Sequence, residues 1–138
     1  MALAAVVLAL AFGAYRVLTD GRFATRRLAS TPSPASTEPA ATPDWLPAQV
    51  TLGERATLVQ FSSAFCAPCR ATRRILSEVA DVVPGVVHVE IDAEDRLELV
   101  RRLGIVRTPT TLVLDAQGRE IARASGAPRK EQVLSALP

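Results

Sequence analysis

The chain opens on an unbroken apolar run. Residues 2–14 carry no charge, and Tyr15, Arg16, Val17 and Leu18 extend the segment. At about 1.5 Å per helical residue, residues 1–18 reach roughly 27 Å. That just matches a bilayer core of about 30 Å if Tyr15 sits at the interface and Arg16 snorkels. The pattern predicts a transmembrane anchor over 1–18. A cleaved signal peptide competes: Ala9-Leu10-Ala11 resembles a cleavage site, but it lies inside the run, and no basic side chain precedes it. A soluble amphipathic segment is the third reading.

The apolar pattern then stops. Residues 19–43 hold a basic flank and a Pro/Ser/Thr/Ala-rich stretch in which Pro32, Pro34, Pro39 and Pro43 remove backbone donors. No periodicity offers a core face, so the stretch predicts a semi-extended tether.

Patterning returns in residues 44–138, the predicted folded domain. Ala56 to Ser62 is a short β-prone run and predicts a buried strand. Ala71, Ile75, Val79 and Val82 repeat at helical spacing, predicting a helix from Ala67 to about Val83 that Pro84-Gly85 ends. Val86 to Asp92 predicts a second strand, and Glu94 to Leu103 a helix with Leu97, Val100 and Leu103 on one face. Thr110 to Leu114 and Arg119 to Ser125 predict a hairpin around Asp115-Ala-Gln-Gly118. Arg129 to Leu137 predicts a closing helix. The order is βαβ, then α, then ββα, an α/β arrangement with a parallel pair and an antiparallel hairpin.

Charge refines this picture. From Asp44 onward basic and acidic side chains balance, so the net charge of +2 arises from Arg16, Arg22, Arg26 and Arg27 against Asp20 and Glu38. A neutral domain has no footprint for nucleic acid. Basic residues after an apolar run read as a membrane flank, which predicts a single-pass protein with its domain in the cytoplasm; the exported side is the alternative.

The chain has two cysteines, Cys66 and Cys69. Two cannot build a disulfide scaffold, nor fill a four-ligand zinc site without help, and His88 is the single histidine. Cys66-Ala67-Pro68-Cys69 lies where a strand hands over to a helix inside a βαβ unit, the setting of a thiol–disulfide motif. Free N–H groups and the helix dipole favour a thiolate at Cys66, the attacking species. Cys69, three residues on, faces the same side and can resolve a mixed disulfide on Cys66. Pro68 is tolerated in the first turn and stiffens it. Arg70, Arg73 and Arg74 read as a solvated helix face, with added positive potential near Cys66 as the alternative. Phe65 reads equally as a substrate contact or as packing. Pro109 stands at a strand's first residue, where proline is allowed.

With these residues the chain resembles a thioredoxin. The resemblance covers roughly Leu52 to Leu137 and rests on Phe61, the Cys66-Ala-Pro-Cys69 motif, Asp92, Gly104-Ile105, Thr108-Pro109-Thr110, Gly118 and Gly126. It implies a central mixed sheet flanked by helices. It implies an exposed nucleophile Cys66, a buried resolving thiol Cys69, and a cis Pro109 beside Cys66 with the Thr108 backbone pairing an extended substrate. Phe65, Ala67, Pro68, Thr108 and Pro109 become the expected substrate-binding residues. Four positions depart from the family's common pattern. Phe65 replaces a tryptophan, and Ala67 a glycine. Gln60 stands for a buried aspartate, and His88 for a lysine. Gln60 cannot act as a carboxylate base, whereas His88 titrates in a useful range, so the two are candidates for an altered proton-handling pair.

The expected activity is thiol–disulfide exchange with protein disulfides, acting as a reductant, with no cofactor beyond the Cys66–Cys69 pair and with an upstream dithiol reductase or other electron donor. Two other classes stand beside it. One is a copper-binding or delivery module using the two thiolates, although the single methionine, Met1, is far from them in sequence. The other is an interaction domain that keeps the fold without turnover.

Overall fold

The structure, a computed structural model, describes residues 2–25 and 42–138. Most of the expected tether, and Met1, lie outside the described residues.

The first element, α1, spans Ala2–Thr19. Its apolar side chains are exposed, Leu3, Leu8 and Leu10 among them. Among the described residues no helix is long and apolar enough to cross a membrane. The expected transmembrane anchor is therefore unsupported, and the physical shortfall is plain. A helix of 18 residues is marginal against a full bilayer core, and Arg16 falls in its last turn.

The expected flank also folds differently. Phe23–Thr25 forms a short strand, β1, which pairs antiparallel with the sheet edge in the register Phe23↔Ala124. Three residues carry too little periodicity to be read as a strand alone. Only the exposed edge of a finished sheet gives their N–H and C=O groups partners.

The remaining elements follow the sequence pattern closely. They are β2 (Ala56–Ser62), α2 (Ala67–Val82), β3 (Val86–Asp92), α3 (Leu97–Arg102), β4 (Thr110–Asp115), β5 (Glu120–Ser125) and α4 (Lys130–Ala136). The sheet order is β1-β5-β4-β2-β3. β2 and β3 run parallel, while β2–β4 and β4–β5 are antiparallel. This is the mixed sheet expected. Helix α3 starts three residues later than its periodicity suggests. The Asp92 carboxylate accepts the Glu94 N–H at 2.8 Å and turns the chain locally instead. In the β4–β5 turn Gly118 has φ 76°, which a side chain would resist.

Alternation along β2 sorts the core into two layers. Val59 and Phe61 face Leu99, Ile105, Leu112 and Leu114, with Trp45 against Phe61 at 6.5 Å. Leu58 faces Leu76, Val79, Val113 and Val133, beneath α2 and α4. The second layer carries Gln60 and Ser62 toward α2, and so toward the cysteines.

Candidate active site

β2 ends at Ser62 and α2 begins at Ala67, so residues 63–66 turn the corner between them. Cys66 is the N-cap of α2, with extended backbone (φ −105°, ψ 98°), and its sulfur accepts the Cys69 N–H at 3.1 Å. Pro68 lies in the first turn, where its missing N–H costs nothing. Cys69 lies one turn deeper and is buried, whereas Cys66 is partly open. The two sulfurs are joined in a disulfide. Reduction frees a partly accessible sulfur at a helix N-terminus and a shielded one behind it.

A second loop closes on this corner. The Thr108–Pro109 peptide bond is cis. Thr108 Oγ1 lies 3.1 Å from Ser63 Oγ, tying the proline loop to the cysteine loop. The Pro109 carbonyl accepts the Gly126 N–H at 2.7 Å. Pro109 is buried, while Ala67 and Pro68 are exposed. Phe65 is 99% exposed, so it packs against nothing in the described fold.

Behind the cysteines lies a cleft of about 380 Å³, lined by Cys66, Cys69, Ser62, Arg70, Arg73, Glu90 and Asp92, among others. A larger groove of about 750 Å³ lies between Trp45 and α3 and touches neither cysteine. Gln60 is fully buried beneath Cys69 and does not line the cleft. Its Nε2 donates to the Cys69 carbonyl at 2.9 Å and to Ser62 Oγ at 2.8 Å. Its Oε1 is buried without a partner. His88 points elsewhere. Its Nδ1 lies 3.2 Å from Ser77 Oγ, it does not line the cleft, and burial pushes its imidazole below the ordinary range, against the attraction of Glu90.

Glu90, by contrast, was invisible as a site residue in the sequence. It sits in register with Gln60 on the neighbouring strand. Arg73 Nη2 donates to Glu90 Oε1 at 2.7 Å, and Arg73 Nε lies 2.6 Å from Oε2. Burial pushes the Glu90 carboxyl up. Hydrogen bonds from Arg73 and Ser62, with the charges of Arg73 and His88, outweigh that and hold it below its usual range. A strand-pairing register is the signal that would have found Glu90, and no single strand carries it. The three arginines divide: Arg70 and Arg73 line the cleft, and Arg74 does not.

No metal set accompanies the cysteines: among the described residues, three or more His, Cys, Asp or Glu side chains never cluster in a metal-binding arrangement.

A family model for the thioredoxin-like domain matches residues 48–138. The chain belongs to the thioredoxin-like domain family. The domain is 32% identical over 90 residues to a thioredoxin of Alicyclobacillus acidocaldarius, covering 64% of this chain and 85% of that protein. It is 31% identical over 78 residues to thioredoxin H-type 1 of Nicotiana tabacum. That match covers 56% of this chain, and the chain spans only 61% of the tobacco protein. Among solved structures, thioredoxin NaTrxh from Nicotiana alata superposes with a TM-score of 0.53 at 26% identity, covering 59% of this chain and 70% of that one. The thioredoxin-like domain thus carries both the fold and the Cys66–Cys69 pair that the sequence pattern implied.

Proposed function

We propose that the protein reduces disulfides in other proteins by dithiol–disulfide exchange. The observation that carries this is the asymmetry of the pair: Cys66 caps α2 and is partly open, while Cys69 is buried one turn behind it. Cys66, as thiolate, attacks a substrate disulfide and forms a mixed disulfide. Cys69 then attacks Cys66, closing the internal bond and releasing the substrate as dithiol. The exposed Phe65, with Ala67 and Pro68, supports an approach of substrate over the cysteine corner. The Thr108–Pro109 edge, tied to Ser63, supports its alignment. An upstream dithiol reductase or comparable donor restores the reduced pair, and no further cofactor is required by this chemistry.

The test is reduction of insulin by the purified protein with dithiothreitol as donor. Wild type should accelerate precipitation of the insulin chains, Cys66→Ser should be inactive, and Cys69→Ser should accumulate a mixed disulfide. Wild-type inactivity would overturn the reading.

We further propose attachment to a membrane through α1, with the domain on the cytoplasmic side. The support is the exposed apolar surface of α1 and the arginines that follow it. Labelling of Cys66 by an impermeant thiol reagent in intact cells would overturn the cytoplasmic placement. Recovery of the protein in the soluble fraction would overturn attachment.

A further inference from the structure

Resolution of a mixed disulfide requires that Cys69 lose a proton while shielded from bulk water. Its surroundings restrict where that proton can go. Gln60 touches the Cys69 backbone, yet an amide accepts a hydrogen bond and takes no proton. His88 faces Ser77 rather than the cleft. Two carboxylates line the cleft, Glu90 and Asp92. Asp92 already caps the turn into α3 through the Glu94 N–H. Glu90, an exposed residue whose side chain is 27% exposed, stands on the edge strand in register with Gln60.

We propose that Glu90 receives the Cys69 proton as Cys69 attacks, so that the acid–base group lies on the strand beside Gln60 instead of at Gln60 itself. This rests on the thiol–disulfide reading above. The cleft is wide enough for a water to carry the proton across. The step balances as follows. The Cys69 S–H bond breaks and its proton passes to the Glu90 carboxylate. The Cys69 sulfur bonds to the Cys66 sulfur. The bond from Cys66 to the substrate sulfur breaks, and that sulfur leaves as a thiolate with the bonding pair. Because a thiolate is a far stronger base than a carboxylate, the proton then moves to it. The substrate gains two electrons and the cysteine pair loses two.

The electrostatics are consistent. Arg73 and Arg70 come from α2, His88 and Asp92 share β3 with Glu90, and β2 contributes only the uncharged Gln60 and Ser62. Glu90 is a carboxylate at neutral pH, and the Arg73 pairing holds its pKa below the usual range, so it holds the proton only briefly before passing it on to the leaving thiolate. Arg73 occupies one acceptor site on each carboxylate oxygen and Ser62 a third, which leaves one of the four free.

The test follows the reduced full-length protein reacting with dithiobis(nitrobenzoate) by stopped flow. The first nitrothiobenzoate released marks attack by Cys66, and the second marks resolution by Cys69. Glu90→Gln should leave the first phase within twofold and slow the second roughly 100-fold near neutral pH. The deficit should shrink as pH rises, because removal of the thiol proton by hydroxide then competes with transfer to Glu90. Glu90→Asp should recover most of the rate. Glu78→Gln, which removes an exposed carboxylate paired with Lys130, should match wild type. A Glu90→Gln deficit below threefold, or one constant across pH, overturns the proposal, as does an equal deficit in Glu78→Gln. Absence of any second release from wild type would instead remove the exchange reading, and the proposal with it.

Discussion

Asp20, in the turn after α1, forms an ion pair with Arg107, two residues before the cis Pro109. The same Arg107 guanidinium donates to the Ser125 carbonyl at 2.7 Å, and Gly21 N–H donates to that carbonyl at 3.0 Å. The segment leaving α1 is therefore fastened to the two loops that frame Pro109, and β1 continues the attachment along β5.

Gly21 makes this approach possible. Its φ is +69°, and a Cβ there would run into the Ala127 carbonyl. Gly21→Ala should detach β1 while leaving the rest of the sheet intact. Hydrogen exchange is the measurement. The amides of Phe23 to Thr25, and those of β5 facing them, should lose protection, and the amides of β2 and β4 should not. Unchanged protection at β5 would show that Asp20 and β1 pairing hold the segment without the glycine.

Phe65 is 99% exposed beside the partly open cysteine. Phe65→Ser removes no packing, so unfolding free energy should change by less than about 0.5 kcal/mol. If the ring contacts substrate, kcat/KM should fall more for insulin than for a small disulfide such as oxidised glutathione. Equal losses on both substrates would assign Phe65 to the chemistry of Cys66 and away from substrate contact.

His88 gives a pH signature to stability. Burial lowers its folded pKa below the ordinary 6.5, partly countered by Glu90, with Arg73 adding to the lowering. Between the two values the unfolded chain binds more protons, so stability rises with pH there. The contribution is fully present above about pH 6.5 and is lost as pH falls toward the folded value. The urea midpoint of wild type should therefore drop between about pH 7.5 and about pH 5.5. His88→Gln should show a smaller drop, and equal drops would mean that His88 does not titrate differently on folding. Glu90 is separable, because its depressed pKa costs stability only as pH falls below its usual value of about 4.5.

Much of this protein follows from local pattern. The β-prone run before Cys66 and the spacing of Ala71, Ile75 and Val79 after it determine a strand-to-helix junction. That junction alone places Cys66 at a helix N-terminus and Cys69 one turn in. The order of strands and helices, and the hairpin around Gly118, are equally local, because period and turn chemistry are properties of neighbouring residues. Tertiary structure decided what depends on distant pairing. Three residues at Phe23 became a strand only because β5 offered an open edge. His88 was turned to Ser77, and Glu90 was brought to the cleft, by the parallel register of β2 against β3 and the packing of α2 across it. The sequence therefore determined which sulfurs react. The sheet register decided which charged group stands behind them, since a one-residue shift would have turned Glu90 to the opposite face.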